Sequence, residues 1–303
     1  MNKTCIVIAG PTAVGKTSVA IEIAKHFSTQ IISSDSRQCY TELNIGVAKP
    51  SPQQLLEIQH HFINSHTIFD VVSAADFEHY ALEKATALFE QSDVIVVVGG
   101  TGLYIKAFCD GLDDIPTANS EVRMVLHEQY QQHGIGWLSQ QLAEKDPIFY
   151  KNGEMKNPHR MMRALEVMEV SGKSILLYYS GEKKKRDFEL IKVGLELQRD
   201  TLYENINNRT DQMMRSGLLQ EVEGLLAYKH NNALQTVGYK ELFAYIDGAI
   251  SLKRAVELIK QNTRHYAKRQ MTWFKKDEEF SWARPDDTPN LLSVISQKIK
   301  SSK

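Results

Sequence analysis

Residues 10 to 17 have the composition and spacing of a loop that binds phosphate groups. They are Gly10, Pro11, Thr12, Ala13, Val14, Gly15, Lys16 and Thr17. This GxxxxGKT pattern lies between an apolar stretch, 4–9, that predicts a strand and a segment, 16–27, that predicts a helix, which is the context the motif requires. Glycines let backbone N–H groups point at phosphate oxygens, the lysine neutralises their charge, and the last hydroxyl can ligate Mg²⁺. We therefore predict a phosphate site here, with Thr17 as a ligand of a Mg²⁺ cofactor.

The acidic residue that could act with this loop is Asp35. In P-loop NTPases an acid after a neighbouring apolar strand helps to hold Mg²⁺, but the apolar run 94–98 is followed by two glycines. This weakens a hydrolase interpretation. A second apolar run, 31–34, ends directly at Asp35, where a carboxylate could take a proton from a nucleophile. That role suits a small-molecule kinase and a group transferase equally, and the structural alternative is a plain turn residue.

The elements that would position these residues form an α/β pattern. Apolar runs at 4–9, 30–33 and 93–98 predict strands, and the segments 16–27 and 76–91 predict helices between them. Continuous apolar runs separated by helices indicate parallel strands that are covered on both faces. We expect a P-loop NTPase-like parallel sheet flanked by helices.

The pattern changes after Asp110-Gly111. Residues 115–185 predict only helices, at 120–133, 136–144 and 158–170, with Ser120 as an N-cap and Pro158 in a first turn. A charged linker, 181–186, precedes another strand-like run at 188–197, and helical patterns resume from 201 to about 276. The sequence therefore predicts a discontinuous core, 1–114 and 186–303, interrupted by an all-helical insertion, 115–185.

Charge is balanced over the whole chain but not locally. The net charge of the 303 residues is −1, which excludes a generic polyanion binder. The segment 253–276 has only one acid, Glu257, and its bases are Lys253, Arg254, Lys260, Arg264, Lys268, Arg269, Lys275 and Lys276. With Tyr266, Trp273 and Phe274 interleaved, this stretch suits RNA phosphates and bases. The alternative is a solvated helix face with aromatic side chains in the core.

Other classes of protein are disfavoured. Three scattered cysteines, with no CxxC pair, favour neither a disulfide framework nor a zinc site, and the pair His60-His61 has no partner ligands nearby in sequence. No apolar run is long enough to cross a bilayer, and the N-terminal stretch is no signal peptide. We expect a cytoplasmic protein that acts as a monomer and has no membrane partner.

A set of short strings, in one order along most of the chain, resembles the bacterial tRNA dimethylallyltransferases, also called tRNA isopentenyltransferases. The strings are at residues 10–17, 35–40, 46–50, 60–62, 99–104, 163–167, 217–219, 238–241, 266–270 and 272–274. Each string is weak alone, but the ordered set is specific. Small departures occur at Cys39, Val47 and His265, and none of these replaces a residue assigned to the chemistry.

The resemblance implies an activity. The family transfers a dimethylallyl group from its diphosphate to the exocyclic N6 amine of the adenosine just 3′ of the anticodon. By this resemblance the loop holds a diphosphate leaving group rather than ATP, and Asp35 accepts the amine proton. Arg209 would clamp the same diphosphate together with Lys16, and Thr101 would lie in the channel between the donor and the base.

The resemblance also implies which residues contact tRNA. The flipped adenosine and its neighbours would be read by residues that follow the second strand, Asp35, Ser36, Arg37 and Gln38, with Thr101. Further contacts would come from the insertion and from the basic stretch, namely Arg123, His159, Arg160, Met161, Met162, Arg163, Lys268 and Arg269. Three alternatives stay open: a small-molecule kinase that uses ATP, a prenyltransferase acting on free adenine nucleotides, and a non-catalytic RNA-binding protein.

Overall fold

The computed structural model describes residues 3–301 and contains one six-stranded parallel sheet. In chain order the strands are β1 (Thr4–Ala9), β2 (Ile31–Ser33), β3 (His60–His61), β4 (Val94–Gly99), β5 (Glu189–Leu195) and β6 (Ser281–Ala283). Their spatial order is β3-β2-β4-β1-β5-β6. The phosphate-loop strand β1 therefore lies at the centre, between β4 and β5.

Helices occupy most of the remaining chain. They are α1 (Lys16–His26), α2 (Pro52–Glu57), α3 (Ala74–Phe89), α4 (Gly102–Asp110), α5 (Ser120–Lys145), α6 (Pro147–Asn152), α7 (Pro158–Ser171), α8 (Arg199–Arg215), α9 (Leu218–Gly224), α10 (Tyr239–Ile246), α11 (Leu252–Phe274) and α12 (Thr288–Ser301). Short 3₁₀ helices occur at Ile175–Tyr178, Leu226–Tyr228 and Asn232–Leu234.

The central strands are buried on both faces. Every residue of β1 and β4 is buried, and alternate side chains enter two apolar clusters. Ile6 and Ile8 pack in a cluster with the apolar side of α1, and Cys5 and Val7 in a cluster with α3 and α4. This two-sided burial explains why the strands read as continuous apolar runs, and the predicted parallel sheet flanked by helices is confirmed.

The sequence analysis missed or misplaced several elements. The strands β3 and β6 and the helices α2, α4, α6 and α12 were not predicted. Most of these elements are too short to carry a clear periodicity, whereas α12 has 14 residues and was overlooked. The break predicted between two helices near residue 135 is confirmed, because α5 is interrupted at Gly134, with φ 71° and ψ −165°. Ser120 is not the N-cap, since the Asn119 side chain accepts from Val122 N–H at 2.9 Å. Pro158 is the first residue of α7, as predicted.

The chain forms two compact units. One contains the sheet and comprises the chain up to Asp110 and from Lys185 onward, and the other comprises Gly111–Lys184. The second unit is helical and has its own apolar core, with the fully buried Leu138, Leu142 and Leu165 at its centre. The limits predicted for the insertion were 115 and 185.

Candidate active site

The phosphate loop connects β1 to the N-terminus of α1. Gly15 caps α1 with φ 101°, a left-handed conformation that a glycine adopts without strain. The Lys16 ammonium donates to the carbonyl oxygens of Gly10 at 3.0 Å and Pro11 at 2.7 Å. The loop is also held from α8, where Asn205 donates to the Ala13 carbonyl at 3.3 Å. The lysine thus lies folded over the loop that a phosphate would enter.

The charge of Lys16 depends on its surroundings. Burial lowers the pKa of Lys16 to about 7, the nearby Asp35 carboxylate opposes this shift, and the Arg209 guanidinium adds to it. The side chain is only partly enclosed, because it borders a cavity. An anion bound in that cavity would stabilise the protonated lysine.

Two cavities meet beside the loop. The first, which we call the loop cavity, has a volume of about 470 Å³ and is lined by Lys16, Thr17 and neighbouring residues. The second, which we call the adjacent cavity, has a volume of about 440 Å³. Seven residues line both cavities: Thr12, Ala13, Asp35, Val47, Ala48, Arg209 and Tyr266. The site is therefore a two-part space with Asp35 and Arg209 at the junction.

Asp35 is placed so that it can be both a turn residue and a proton acceptor, the two roles that the sequence left open. Its Oδ1 accepts from the backbone N–H groups of Arg37 at 2.9 Å and Gln38 at 3.3 Å, so this oxygen caps the turn after β2. Its Oδ2 has no hydrogen bond or ion pair with any of residues 3–301. One carboxylate oxygen fixes the turn, and the other is available to a ligand in the cavities.

Thr101 joins the turn after β2 to the turn after β4. Its hydroxyl accepts from Ser36 N–H at 3.1 Å and donates to Ser36 Oγ at 3.3 Å. Tyr266 of α11 lies close to Thr101 and to Asp35. Burial raises the pKa of Tyr266 to about 12, the negative Asp35 adds to this shift, and a hydrogen bond with Thr101 opposes it. The phenol therefore stays protonated at neutral pH.

Helix α8 presents a polar face to the loop cavity. Arg209 donates to Thr12 Oγ1 and to the Ala48 carbonyl, both at 3.4 Å. Asn205, Asn208 and Gln212 line the same cavity at helical spacing. The sequence analysis found only Arg209. The polar stripe beside the buried Leu202 and Ile206 was the signal for the others.

A carboxylate away from the loop shapes the opposite wall. Glu221 accepts from the N–H groups of Ile45 at 2.8 Å and Gly46 at 3.0 Å, and from the Tyr239 hydroxyl at 2.6 Å. These bonds fix the segment that carries Val47 and Ala48, which line both cavities. Nothing local in the sequence pointed to Glu221, because its backbone partners lie about 175 positions away.

The turn after β4 carries no acid. At this turn the Gln270 side chain of α11 donates to the Gly100 carbonyl at 2.8 Å. β4 pairs directly with β1, so Gly100 follows the strand that ends in a Mg²⁺-binding acid in P-loop NTPases. The site therefore lacks that carboxylate.

Comparison with known proteins identifies the family. Residues 38–277 match the family model described as IPP transferase. Proteins named tRNA dimethylallyltransferase 1 from Bacteroides fragilis and Bacteroides thetaiotaomicron are 45% and 44% identical to this chain. The alignments cover 98% and 96% of this chain, and 99% and 95% of the relatives. The chain belongs to the IPP transferase family.

Solved structures agree with this assignment. The full-length tRNA isopentenylpyrophosphate transferase of Bacillus halodurans is 32% identical, with a TM-score of 0.73, over 99% of this chain and 97% of that one. A eukaryotic dimethylallyltransferase acting on tRNA is 24% identical with a TM-score of 0.81, covering 99% of this chain and 80% of that one, and supports the fold alone. The predicted P-loop NTPase-like fold class is confirmed for this IPP transferase.

The basic stretch of this IPP transferase is partly neutralised within the chain. Lys260 pairs with Asp211 at 2.6 Å, Lys275 with Glu196 at 3.0 Å and Arg254 with Glu257 at 3.4 Å. Lys268 and Arg269 form no ion pair within residues 3–301. Arg269 lines the adjacent cavity, whereas Lys268 lines a separate groove. Lys268 and Arg269 therefore face different surfaces.

The insertion residues predicted to contact tRNA differ in exposure. His159 and Arg160 are exposed in the first turn of α7. Arg123 at 3.5 Å and Arg163 at 3.1 Å both pair with Glu166. Met162 is half-buried. Met161 is fully buried in the core of the insertion, so its side chain offers tRNA no surface in this conformation.

The donor set of the loop cavity fits Mg²⁺ with a phosphorylated ligand. Thr17 supplies a hydroxyl, and Asp35 is the carboxylate in the lining. No cluster of three or more His, Cys, Asp or Glu side chains that could hold a metal occurs in the described part of the chain. Mg²⁺ commonly binds through few protein oxygens plus substrate phosphates, and the residues present suit that mode. No helix among the described residues has the length and apolarity needed to span a membrane.

Proposed function

We propose that this IPP transferase moves a dimethylallyl group from dimethylallyl diphosphate to N6 of the adenosine 3′ of the anticodon in tRNA, releasing diphosphate. The observation that carries the proposal is the junction of the two cavities, where the Asp35 carboxylate and the Arg209 guanidinium line the same space. A donor in the loop cavity and an acceptor in the adjacent cavity would meet at this point.

The loop cavity suits the donor. The amides of the loop, the N-terminus of α1, Lys16 and Arg209 supply positive potential where charge builds on the leaving diphosphate. A Mg²⁺ ion on Thr17 and the phosphates would neutralise part of that charge. Val47, Met213 and Ile259 give the adjacent cavity an apolar wall for the five-carbon chain.

The acceptor reaction needs a base. As the bond from the allylic carbon to the diphosphate oxygen breaks, its electron pair leaves with the diphosphate and the N6 lone pair forms the new C–N bond. The N6 proton passes to Oδ2 of Asp35, the oxygen that the turn does not use. An adenosine in a folded anticodon loop must flip out to reach this depth, and Ser36, Arg37, Gln38 and Thr101 surround the position at which it would be read.

The remaining surface would hold the tRNA. We assign backbone contacts to Lys268 and Arg269, and insertion contacts to Arg123, His159, Arg160, Met162 and Arg163. The protein would act as a monomer in the cytoplasm, where tRNA is found.

The class of reaction can be tested directly. Labelled dimethylallyl diphosphate is incubated with the protein, Mg²⁺ and either total tRNA or AMP, and the label in each acceptor is counted. We expect label in tRNA at N6 of the adenosine next to the anticodon. Label only in AMP would identify a free-nucleotide prenyltransferase. Transfer of phosphate from ATP without prenylation would identify a kinase, which the absence of an acid after β4 disfavours.

Donor binding should depend on pH through Lys16. The pKa of Lys16 in the free protein is about 7, and a bound diphosphate would raise it, so binding takes up a proton above pH 7. Affinity for inorganic diphosphate with Mg²⁺ should therefore fall as pH rises from 7 to 9. Calorimetry in buffers of different ionisation enthalpy measures the uptake. Lys16→Arg is the control, because arginine stays protonated throughout while the ligand titrates identically. Equal pH dependence in both proteins would contradict the role of Lys16.

Binding of tRNA should depend on Lys268 and Arg269. Arg269→Glu and Lys268→Glu should each weaken tRNA binding, and each lost phosphate contact should lower the slope of log affinity against log salt by roughly 0.7–0.9. Filter binding over a salt series gives the slopes. Lys253→Glu is the control, since it makes the same charge change about 24 Å earlier along α11. Unchanged slopes for both variants would show an ordinary solvated face.

A further inference from the structure

Gln270 is a buried polar residue with both ends of its amide satisfied. Only 6% of it is exposed. Its Oε1 accepts from Thr12 N–H at 2.8 Å, and its Nε2 donates to the Gly100 carbonyl at 2.8 Å. The orientation of the amide is determined by these partners, because one is a donor and the other an acceptor. An apolar side chain here would leave both backbone groups without a partner.

The two partners of Gln270 belong to opposite halves of the site. Thr12 is in the phosphate loop, lines both cavities, and has its hydroxyl 3.4 Å from the Arg209 guanidinium. Gly100 immediately precedes Thr101, which holds the Ser36 backbone beside Asp35. One side chain therefore bridges the loop that would bind the donor to the turn that supports the proposed base.

The surrounding chain leaves space for this side chain in particular. A Cβ atom at Gly100 would come within 2.3 Å of the amide nitrogen, so the glycine permits the close approach of α11. One helical turn earlier, Tyr266 lines both cavities. Helix α11 thus contacts the two halves of the site through consecutive turns of one face.

We propose that Gln270 is a positioning residue that sets the distance between the phosphate loop and the Thr101 turn. It keeps the loop in the conformation that receives a diphosphate and keeps Asp35 at the reacting end of the donor. This inference rests on the proposed function, since it assumes that the loop binds the diphosphate leaving group. Gln270 lines the loop cavity, but both ends of its amide are engaged by Thr12 and Gly100, so the side chain acts on the site through these two partners.

The test compares Gln270→Met with Gln261→Met, an exposed glutamine on the same helix. Binding of inorganic diphosphate with Mg²⁺ is measured by calorimetry, and dimethylallyl transfer is followed in single turnover with both substrates saturating. Hydrogen exchange read by mass spectrometry reports on the segment 10–17, and thermal unfolding reports on the whole fold.

For Gln270→Met we expect diphosphate affinity to fall by about 10- to 100-fold, the size of effect typical of an unsatisfied buried group. We also expect a slower transfer step and faster exchange confined to 10–17 and to the turn at 100–101. Gln261→Met should match the wild type.

The outcomes separate this inference from the proposed function. If wild-type protein transfers no prenyl group to tRNA, the proposed function is wrong, whatever Gln270 does. If wild type is active and Gln270→Met binds diphosphate and reacts normally, the positioning role is wrong. A lower unfolding temperature with normal diphosphate affinity and exchange that rises evenly along the chain would also overturn it, since Gln270 would then only stabilise the fold. Should Gln270→Met fail to fold, Gln270→Glu is the second variant. Its carboxylate can still accept from Thr12 N–H, but it cannot donate to the Gly100 carbonyl and repels that oxygen. In that variant, exchange that is unchanged at 100–101 contradicts the proposal.

Discussion

Replacing Lys16 with alanine should slow dimethylallyl transfer by about 10²- to 10³-fold or more, the range found when one preorganised charge stabiliser is removed. Lys16 already lies over the loop through its bonds to Gly10 and Pro11, so a bound diphosphate would exchange these carbonyls for phosphate oxygens. The lost interaction strengthens as charge develops on the leaving group, and the effect should therefore appear mainly in the chemical step.

Single-turnover rates with saturating substrates, alongside filter binding of tRNA, measure this effect. Affinity for tRNA should be unchanged, because Lys16 faces the loop cavity rather than the adjacent cavity. Lys25→Ala removes a lysine from the same helix, where it forms an exposed ion pair with Glu57, and should leave the rate unaltered. Near-normal turnover of Lys16→Ala would show that the loop lysine does not contribute to catalysis.

Replacing Asp35 with asparagine should leave both substrates bound and slow the chemical step by about 10²- to 10⁴-fold, or about 3–5 kcal/mol of barrier. An asparagine oxygen can still accept from the backbone of Arg37 and Gln38, so the turn is preserved. The amide that replaces Oδ2 cannot take the N6 proton. The loss should therefore appear in the rate and leave both affinities intact.

The matched control for this change is Asp70→Asn. Asp70 also caps a turn, accepting from Thr67 N–H at 2.7 Å, but it lines neither cavity. Affinities for tRNA and donor and the single-turnover rate are measured for both variants. Weak tRNA binding with normal chemistry in bound Asp35→Asn would make Asp35 a recognition residue. An unaffected Asp35→Asn would mean that the proton leaves by another route, such as to the diphosphate.

Local patterns account for much of the agreement between sequence and structure. The buried strands β1 and β4 and the long helices were predictable because burial on two faces, or on one helical face, repeats at short range. The strand β3 has two residues, too few for a period. The Asn119 cap depends on a single side chain, which is why the start of α5 was misjudged, whereas the glycine at the break in this helix is visible in the sequence.

The site was predictable only where its residues lie in contiguous strings. The loop and the turn at Asp35 are such strings, and the structure brings them to one junction. Glu221 and Gln270 act across about 175 and 258 positions through backbone groups, and no local spacing marks such contacts. The separation of Lys268 from Arg269, by contrast, follows from local geometry, because adjacent residues on a helix face directions about 100° apart.

The order of strands has a consequence for how the chain is made. β1 is the first strand to leave the ribosome, yet one of its neighbours, β5, begins 185 residues later, as the register Thr4↔Glu189 gives. Translation proceeds at roughly 5–20 residues per second. The edge of β1 that pairs with β5 therefore stays unpaired for on the order of 10–40 s. Within that interval the whole of Gly111–Lys184 is synthesised, and this unit has a core of its own. The helical unit would thus be complete in the nascent chain while the sheet still lacks β5. The exposed edge of β1 is the place at which a ribosome-associated chaperone would be most needed.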